Sequence, residues 1–459
     1  MQKAKSSRAL VSLNCADKCL LALDSINEPM LIHVVITLEG QVDPGRLNQA
    51  IFLAQKAHPV TRTILRTGLL RTFREVQEDL GQGVLAVADQ STLGGTDYES
   101  YLSSWMNKRF DLRKDFPVRV LLLKKSEQES LLVFTFHHSA ADGLRALLFI
   151  REVIESYNNG SPKNPEGDVR VNRRSDELLE FAHSQRSKVP HYYAKMLYSL
   201  FHRFVLAALP PPTRVYHDRS GHSRELGFCF RTLSPREFEQ IQSKALSVGV
   251  ELNHIFLSAY YRTVEKWNSL HGKKSNKIRI MAPVNISPKG FRYVVSNQAS
   301  WFSLPTAPKD RAEPATLLRK VRSDTINATR NRIAFSLVYF FYFCSLFPLW
   351  VMKLMCHFLM ITRTYVDSVL FTNVGFIWPG LGSEEPAVRK IGNARILNVT
   401  GSAPTVTPIG LGIASGAYNR NLNFSLSYRT ALFSKEKAQQ FLDLYVDEVV
   451  NYEVGAKSP

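Results

Sequence analysis

The stretch of residues 131–150, LLVFTFHHSAADGLRALLFI, changes its hydrophobic period halfway along. Its first six residues are aliphatic, aromatic or β-branched and predict a strand buried on both faces. After Gly143 the apolar residues recur at helical spacing and predict a helix with one broad apolar face. The pair His137–His138 therefore stands where a buried strand ends, and Asp142 stands where a helix begins. Gly143 lets the backbone turn there or approach another group closely.

A histidine at the end of a buried strand is suited to act as a general base. Imidazole titrates near neutral pH, so its neutral form takes a proton from a hydroxyl or an amine. Two other interpretations remain: core histidines beside a helix cap, and a metal site with His137, His138 and Asp142 as ligands. Adjacent residues of a strand point to opposite faces, which argues against both histidines reaching one ion. We therefore expect no metal.

The pattern His-His-x-x-x-Asp-Gly resembles the active-site signature of a superfamily of thioester-dependent acyltransferases. The superfamily includes chloramphenicol acetyltransferases, peptide-synthetase condensation domains, polyketide-associated acyltransferases and wax ester synthase/diacylglycerol acyltransferases. The resemblance implies a catalytic pair, His138 and Asp142, with His138 as the base. It implies that Asp142 is structural, turned away from the imidazole and often paired with an arginine, for which Arg279 is a candidate. His137 and Gly143 would support this pair, His137 as a packing residue.

Other segments resemble the same superfamily in order and spacing. They are residues 38–62, 116–120, 280–285 and 296–297. The resemblance covers about residues 12–449, and it implies an α/β fold of two chloramphenicol-acetyltransferase-like lobes in a V arrangement with a central tunnel. His138 would lie midway along that tunnel. The expected division is an N-terminal lobe at 1–165, a basic helical connector at 166–222 and a C-terminal lobe at 223–459.

The composition is that of a basic globular protein. With 459 residues the chain is too long for one ordinary core, and 45% hydrophobic against 21% charged residues excludes a disordered chain. The net charge of +18 attracts polyanions such as nucleic acid, anionic lipid headgroups, an acidic carrier protein or a phosphate-rich cofactor. The basic residues are spread along the chain without a recognition motif, so we expect no nucleic acid partner.

The cysteines and the N-terminus indicate the compartment. The five cysteines are odd in number and lack a paired metal spacing, which favours reduced thiols in a cytoplasmic protein. No signal peptide is evident near the N-terminus. We expect a cytoplasmic protein, and peripheral attachment to the inner face of the membrane stays open.

Two helical segments are predicted in the connector, at 176–187 and 190–208. The second has an apolar face and many basic residues. Such a helix lies on an anionic membrane surface or is a linker with a solvated basic face, and the sequence favours neither interpretation over the other.

Residues 333–352 contain no Asp, Glu, Lys or Arg, and they open an apolar helical insertion at about 333–362. The run is long enough to span a bilayer, although Pro348 interrupts it. Three interpretations compete: a transmembrane helix, a helix that dips into a membrane, and one wall of a channel for a lipid chain. A single span would separate strands that must return to the same lobe, so we favour the last two.

Glycines cluster at 410–416, which invites a dinucleotide-binding interpretation. The spacing is one residue too long for that turn, and the segment lies between strand-like stretches rather than before a helix. We therefore reject a bound dinucleotide.

These observations together predict an acyltransferase. The donor would be an acyl-CoA or an acyl-carrier-protein thioester, with no permanently bound cofactor. The acceptor would be a hydroxyl, and the apolar insertion favours a lipophilic one. Two alternatives stay open: a stand-alone amide-forming condensation enzyme with an amine acceptor and a carrier-bound donor, and a non-catalytic relative that binds lipid or a carrier protein.

Overall fold

The structure is a computed structural model of the chain. It describes residues 10–26, 28–78, 83–161, 211–286, 294–330, 333–362, 367–378, 387–407 and 409–455. The strands are β1 (Leu10–Val11), β2 (Leu31–Glu39), β3 (Thr63–Thr67), β4 (Thr72–Val76), β5 (Leu85–Ala88), β6 (Val118–Lys124), β7 (Glu129–His137), β8 (Leu226–Leu233), β9 (Ile278–Asn285), β10 (Ala299–Thr306), β11 (Val369–Phe376), β12 (Lys390–Ile391), β13 (Ala394–Ser402), β14 (Leu411–Tyr418) and β15 (Asn421–Arg429).

Helices follow the strands in both halves of the chain. They are α1 (Cys15–Ser25), α2 (Pro44–Ala57), α3 (Tyr98–Asn107), α4 (Gly143–Asn159), α5 (Pro235–Ser247), α6 (Leu252–Leu270), α7 (Pro308–Arg311), α8 (Pro314–Arg330), α9 (Ile333–Ser345), α10 (Leu349–Thr362) and α11 (Lys435–Val450). The helices predicted at 176–187 and 190–208 lie outside the described residues.

Two six-stranded sheets divide the fold into two lobes, as the sequence predicts. The first sheet has the order β12-β13-β2-β7-β6-β5, and the second has the order β10-β9-β11-β14-β15-β8. A small third sheet, β1-β4-β3, lies beside the first lobe's motif loop. The α/β fold with two lobes is thus confirmed.

The first sheet is covered on both faces, since its interior strands β6 and β7 are buried along almost their whole length. Side chains alternate between the faces. Val120 and Phe134 pack with α2 and α4 on one side. Leu121 and Val133 pack with residues of α3 on the other.

The second sheet carries a larger aromatic core. Helices α6, α8 and α11 lie against it, and Phe256, Tyr260 and Tyr445 are fully buried there. The rings of Tyr260 and Tyr445 meet edge to face with centroids 5.2 Å apart, a favoured geometry for aromatic pairs.

Strands β12 and β13 join the first sheet although they come from the range 223–459 that the sequence assigns to the second lobe. Residues 395–402 of β13 pair with residues 33–39 of β2 in antiparallel register. Strand β13 also contacts β14 and β15 of the second sheet. The amides of Asn398 and Asn423 exchange two hydrogen bonds across this junction, at 3.0 and 2.9 Å. The lobes are therefore joined through β13.

The apolar insertion at 333–362 forms two short helices, α9 and α10, with a turn before Pro348. Both pack against α1. Within the described ranges no helix is long and apolar enough to cross a membrane. The first of the two helices ends at Ser345, three residues before Pro348, and the second begins directly after the proline at Leu349.

Candidate active site

The strand-to-helix junction lies where the sequence predicts it. Strand β7 ends at His137, and Asp142 is the N-cap of α4. The Asp142 backbone is extended, and its Oδ1 accepts a hydrogen bond of 3.0 Å from the backbone N–H of Arg145. The carboxylate thus satisfies one of the unpaired N–H groups in the first turn of α4.

The two histidines of the motif point to different surroundings. His137 is buried, and its Nδ1 lies 2.8 Å from the hydroxyl of Ser139. Its Nε2 lies 3.6 Å from the carboxylate of Asp24, and its ring meets Phe110 edge to face. These contacts fit the packing role that the resemblance implies for His137.

His138 faces open space. Its backbone N–H donates to the carbonyl of Met30 at 2.7 Å, which ties the residue to the start of β2. Its Nδ1 is buried, without a hydrogen-bond partner at good geometry in the described part of the chain. Because Nδ1 is closed off in this way, Nε2 is the ring nitrogen left for a reactant in the cavities that His138 lines.

Burial sets the protonation state of His138. Loss of solvent lowers the pKa of its imidazole, and the electrostatic interaction with the neighbouring His137 ring acts in the same direction. The carboxylate of Asp142 and the backbone groups of His138 and Ala141 raise the pKa without reversing that shift. The neutral imidazole, which is the form able to accept a proton, is the form this site favours at neutral pH.

The first of two cavities at His138 lies between the lobes, and we call it the interlobe cavity. It encloses about 1110 Å³ of empty space, part of it open to solvent. Strands β2 and β13 of one lobe line it, together with β11, β14 and β15 of the other. Polar side chains are set into this lining: Asn285, Thr372, Asn373, Thr400, Ser402, Ser415, Asn423 and Ser425.

The second cavity, which we call the apolar cavity, lies under α9 and α10. It encloses about 1490 Å³ of empty space, again partly open to solvent. Its lining is almost entirely apolar and comes from α1, α9, α10 and β10. The channel-wall interpretation of the apolar insertion therefore fits its inner face.

The two cavities share His138 in their linings. Both are lined by His138, Pro283, Ala299, Leu370 and Pro404. A reacting group in either cavity can thus approach the same imidazole, which is what a two-substrate reaction at one base needs.

Asp142 also connects the lobes. Its Oδ2 accepts a hydrogen bond of 2.9 Å from the backbone N–H of Gln298, just before β10. The side chain of Gln298 accepts a bond of 3.1 Å from the guanidinium of Arg145. Arg279, the candidate arginine partner, forms its ion pair with Asp367, with 2.5 Å between Nε and Oδ1.

Gly143 is the first residue of α4 and lines the interlobe cavity. The backbone at Gly143 does not itself require a glycine, because its φ is not positive. A Cβ added there would meet Val374 Cγ1 at 3.6 Å, an ordinary contact. Its small size instead leaves space in the wall of the cavity beside His138.

Sequence reasoning missed a buried cation that holds the motif loop. The guanidinium of Arg74 on β4 donates to Asp17 Oδ2 at 3.0 Å and to the carbonyl of Ser139 at 2.5 Å. Asp17 belongs to the capping box of α1, and its partner Asn14 donates to the carbonyl of Asn297. The only signal for this buried cation in the sequence is that an arginine and a glutamate stand side by side in a short strand, β4.

A second imidazole, His33 on β2, also lines the interlobe cavity. Its Nδ1 lies 3.1 Å from the hydroxyl of Thr135. Complete burial lowers the pKa of His33 to about 3, so it stays neutral near pH 7. In the described residues no group of three or more His, Cys, Asp or Glu is placed to hold a metal ion.

Comparisons with known proteins agree with this architecture. A sequence model of the condensation-domain family matches residues 22–272. The probable non-canonical nonribosomal peptide synthetase CymA of Salinispora arenicola (strain CNS-205) is 27% identical over 131 residues, which are 28% of this chain and 2% of that protein. Bacitracin synthase 1 of Bacillus licheniformis is 20% identical over 324 residues, 70% of this chain and 6% of that protein. The chain thus spans less than a tenth of these curated relatives.

Solved structures cover nearly the whole chain. The first condensation domain of the calcium-dependent antibiotic synthetase, in complex with a substrate analogue, matches 98% of each chain with a TM-score of 0.66 and 14% identity. The trichothecene 15-O-acetyltransferase TRI3 of Fusarium sporotrichioides matches 96% of this chain and 95% of its own, with a TM-score of 0.69 and 11% identity. At such low identities the likeness establishes the fold alone.

Proposed function

Because this chain belongs to the condensation-domain family, we propose that it transfers an acyl group from a thioester donor to an acceptor nucleophile, with His138 as the general base. The observation that carries the proposal is the position of His138, which lines both cavities. Burial lowers the pKa of that ring, which supports a neutral base.

The proposed step balances without a cofactor. Nε2 of His138 takes the proton of the acceptor hydroxyl as its oxygen attacks the thioester carbonyl carbon. The tetrahedral intermediate then expels the sulfur, and the imidazolium returns the proton to that thiolate. An ester and a free thiol result. Holding the two reactants together contributes at least as much as the base, on the order of 7 kcal/mol in well-oriented systems against about 3–5 kcal/mol for a general base.

The linings support an assignment of one substrate to each cavity. The arm of a pantetheine thioester carries amide groups, and the interlobe cavity offers as partners the hydroxyls of Ser402 and Ser415, which are buried without a hydrogen-bond partner among the described residues. Coenzyme A and the phosphopantetheine of a carrier protein share this arm, so both donors are compatible with it.

The apolar cavity supports a lipophilic acceptor. Residues such as Leu337, Phe340 and Met352 line it and offer an aliphatic chain burial without polar partners to satisfy. The acceptor hydroxyl would stand at the inner end of this cavity, beside His138. We therefore propose a hydroxyl on a lipophilic molecule, and ester formation as the reaction.

Amide formation is the second candidate. One of the curated relatives described above is a probable peptide synthetase, and the same neutral imidazole accepts a proton from an attacking amine as well as from a hydroxyl. The carrier-bound donor belongs to this alternative. A relative without catalysis, which binds lipid or a carrier protein in these cavities, is the third.

The nature of the acceptor and the charge of the chain bear on where in the cell the reaction takes place. We propose that the chain works in the cytoplasm and associates peripherally with the inner face of an anionic membrane, where a lipophilic acceptor partitions. Its net charge of +18 supports attraction to such a surface.

A thiol-release assay tests the proposal. The full chain is incubated with a panel of acyl-CoA and acyl-carrier-protein thioesters, each with a long-chain alcohol, a long-chain amine or no acceptor. Release of thiol that depends on the alcohol, with an ester found by mass spectrometry, supports the first candidate. Amide product alone supports the second candidate. If the chain binds the thioesters but releases thiol from none of them, the result contradicts catalysis.

A further inference from the structure

The helical hairpin of α9 and α10, residues 333–362, presents apolar side chains on both of its faces. Its inner face lines the apolar cavity. Its outer face, as we call it here, consists of large apolar side chains that are each more than a third exposed: Phe343, Leu346, Phe347, Trp350, Leu354, Phe358 and Ile361.

These side chains form one continuous stripe. Along α10 and the turn before it they stand at 347, 350, 354, 358 and 361, at intervals of three or four residues. Such intervals place side chains on one face of a helix. Leu354 is 62% exposed and Phe358 65% exposed, so the stripe is open to solvent over the length of α10. A continuous exposed stripe of this kind marks an interaction surface, unlike isolated exposed residues.

The charged residues near the hairpin in the sequence indicate what kind of surface it binds. Between Asp324 and Asp367 the sequence has no Asp or Glu and four Lys or Arg, namely Arg330, Arg332, Lys353 and Arg363. An apolar stripe whose neighbours in the sequence are cations and no carboxylates complements an anionic lipid surface. A second copy of the chain would bring the same cations against each other, which opposes a symmetric dimer through this face.

We propose that the outer face of the hairpin docks on an anionic lipid bilayer and that a lipophilic acceptor passes from the bilayer into the apolar cavity. The hairpin lies in the plane of the interface, since neither helix is long enough to cross. The docking half of the proposal stands on the outer face alone. The passage of an acceptor rests on the function proposed above.

Flotation of the full chain with vesicles tests the docking. The vesicles are phosphatidylcholine with or without phosphatidylglycerol, at low salt. Wild type floats with the anionic vesicles, and the double variant Leu354→Glu/Phe358→Glu loses about tenfold or more of the bound fraction. The matched control, Leu246→Glu/Leu270→Glu, changes two exposed leucines outside the hairpin, 77% and 68% exposed, and floats like wild type.

Several results overturn the docking. Wild type that stays at the bottom of the gradient does so, as does a hairpin variant that floats as well as wild type. A dimer in light scattering that the hairpin variant abolishes assigns the face to a second copy instead.

Two readouts separate this inference from the proposed function. With a short, water-soluble alcohol as acceptor, Leu354→Glu/Phe358→Glu transfers acyl groups at the wild-type rate, because neither residue lines the interlobe cavity or the apolar cavity. With the same variant, transfer to a vesicle-borne long-chain alcohol falls in proportion to binding. Conversely, His138→Ala floats like wild type. Flotation without any transfer by wild type therefore contradicts the function and leaves the docking intact.

Discussion

The Oδ2 atom of Asp142 accepts a hydrogen bond of 2.9 Å from the backbone N–H of Gln298, 156 positions further along the chain. The same carboxylate caps α4 through the N–H of Arg145. One side chain thus fixes the start of the helix after His138 and holds it to the second lobe. These two bonds fit the structural role that the resemblance implies for Asp142, which stays a prediction.

We expect Asp142→Asn to disturb this connection although it is isosteric. An amide keeps one oxygen for Arg145 but turns its NH₂ group toward the N–H of Gln298, or the reverse. A buried donor left facing a donor costs about 1–3 kcal/mol. Thermal or urea unfolding measures this loss of stability, and the rate of acyl transfer should fall as well. The acid limb of the pH profile of that rate should move to lower pH, because the carboxylate that raises the pKa of His138 is gone. The shift separates positioning of His138 from a purely structural effect.

The matched control is Asp43→Asn. Asp43 caps α2 through the N–H of Arg46 in an exposed position, and Asn caps helices about as well as Asp. Its stability should change by only a few tenths of a kcal/mol. An equal loss at the two positions would mean that the bond to Gln298 contributes nothing.

Arg74→Met should cost about 3–5 kcal/mol, because it leaves the buried carboxylate of Asp17 without its cation. Both side chains of this pair are less than a tenth exposed. Denaturant unfolding provides the measurement. Lys435→Met serves as the comparison, since its pair with Glu99 is exposed and should contribute no more than about 1 kcal/mol. A similar small loss for both variants would contradict a structural role for Arg74.

We expect Cys19→Phe to shift the preference of the site toward acceptors with shorter chains. Cys19 is half-buried on α1 and lines the apolar cavity, so a phenyl ring there takes up space meant for an aliphatic chain. Each methylene that a pocket gains or loses changes kcat/KM by about 10-fold or more. We expect the ratio of kcat/KM for long-chain against short-chain alcohols to fall about tenfold, with Cys19→Ala unchanged. A constant ratio would place the acceptor elsewhere.

Local periodicity accounts for what the sequence predicted correctly. The change from buried strand to amphipathic helix at residues 131–150 needs only neighbouring residues, and β7, α4 and the Asp142 cap follow from it. The two-lobed fold followed from the resemblance. The division at 165 and 222 stays a prediction, since residues 162–210 lie outside the described ranges.

Pairings between distant segments could not be predicted in the same way. Strand β13 joins β2 across more than 350 positions, a choice that depends on how the lobes close. Strand β14 is rich in Gly, Ala and Ser, which weakens its strand signal. Its Gly416 is required by packing, because a Cβ there would lie 2.8 Å from Val374 Cγ2. Composition alone likewise left three interpretations of the apolar insertion; the structure supports the channel wall for its inner face, and contact with a membrane stays a prediction.

The pH dependence follows from the lowered pKa of His138. A general base must be unprotonated, so a lowered pKa keeps it active in mildly acidic solution. We expect kcat/KM to stay level from pH 8 to about 6.5, the ordinary histidine value, and to fall only below that. A fall that begins above pH 7 would mean that the base is another group or that the ring is exposed.

Acid unfolding must be measured alongside. Burial lowers the pKa of His33 to about 3 and of His58 to about 4, so both are neutral in the folded chain. Below about pH 6.5 the unfolded chain binds their protons first, and stability falls as the solution is acidified. Each site contributes up to about 1.4 kcal/mol per pH unit. Rates are therefore compared only at pH values where the chain remains folded.

The most direct test is the rate of acyl transfer by His138→Ala against wild type, with the same thioester and acceptor. We expect a loss of about 10²–10⁴-fold in kcat, with thermal stability retained because His138 lines a cavity rather than the core. A variant that still folds and transfers acyl groups as fast as wild type would contradict it.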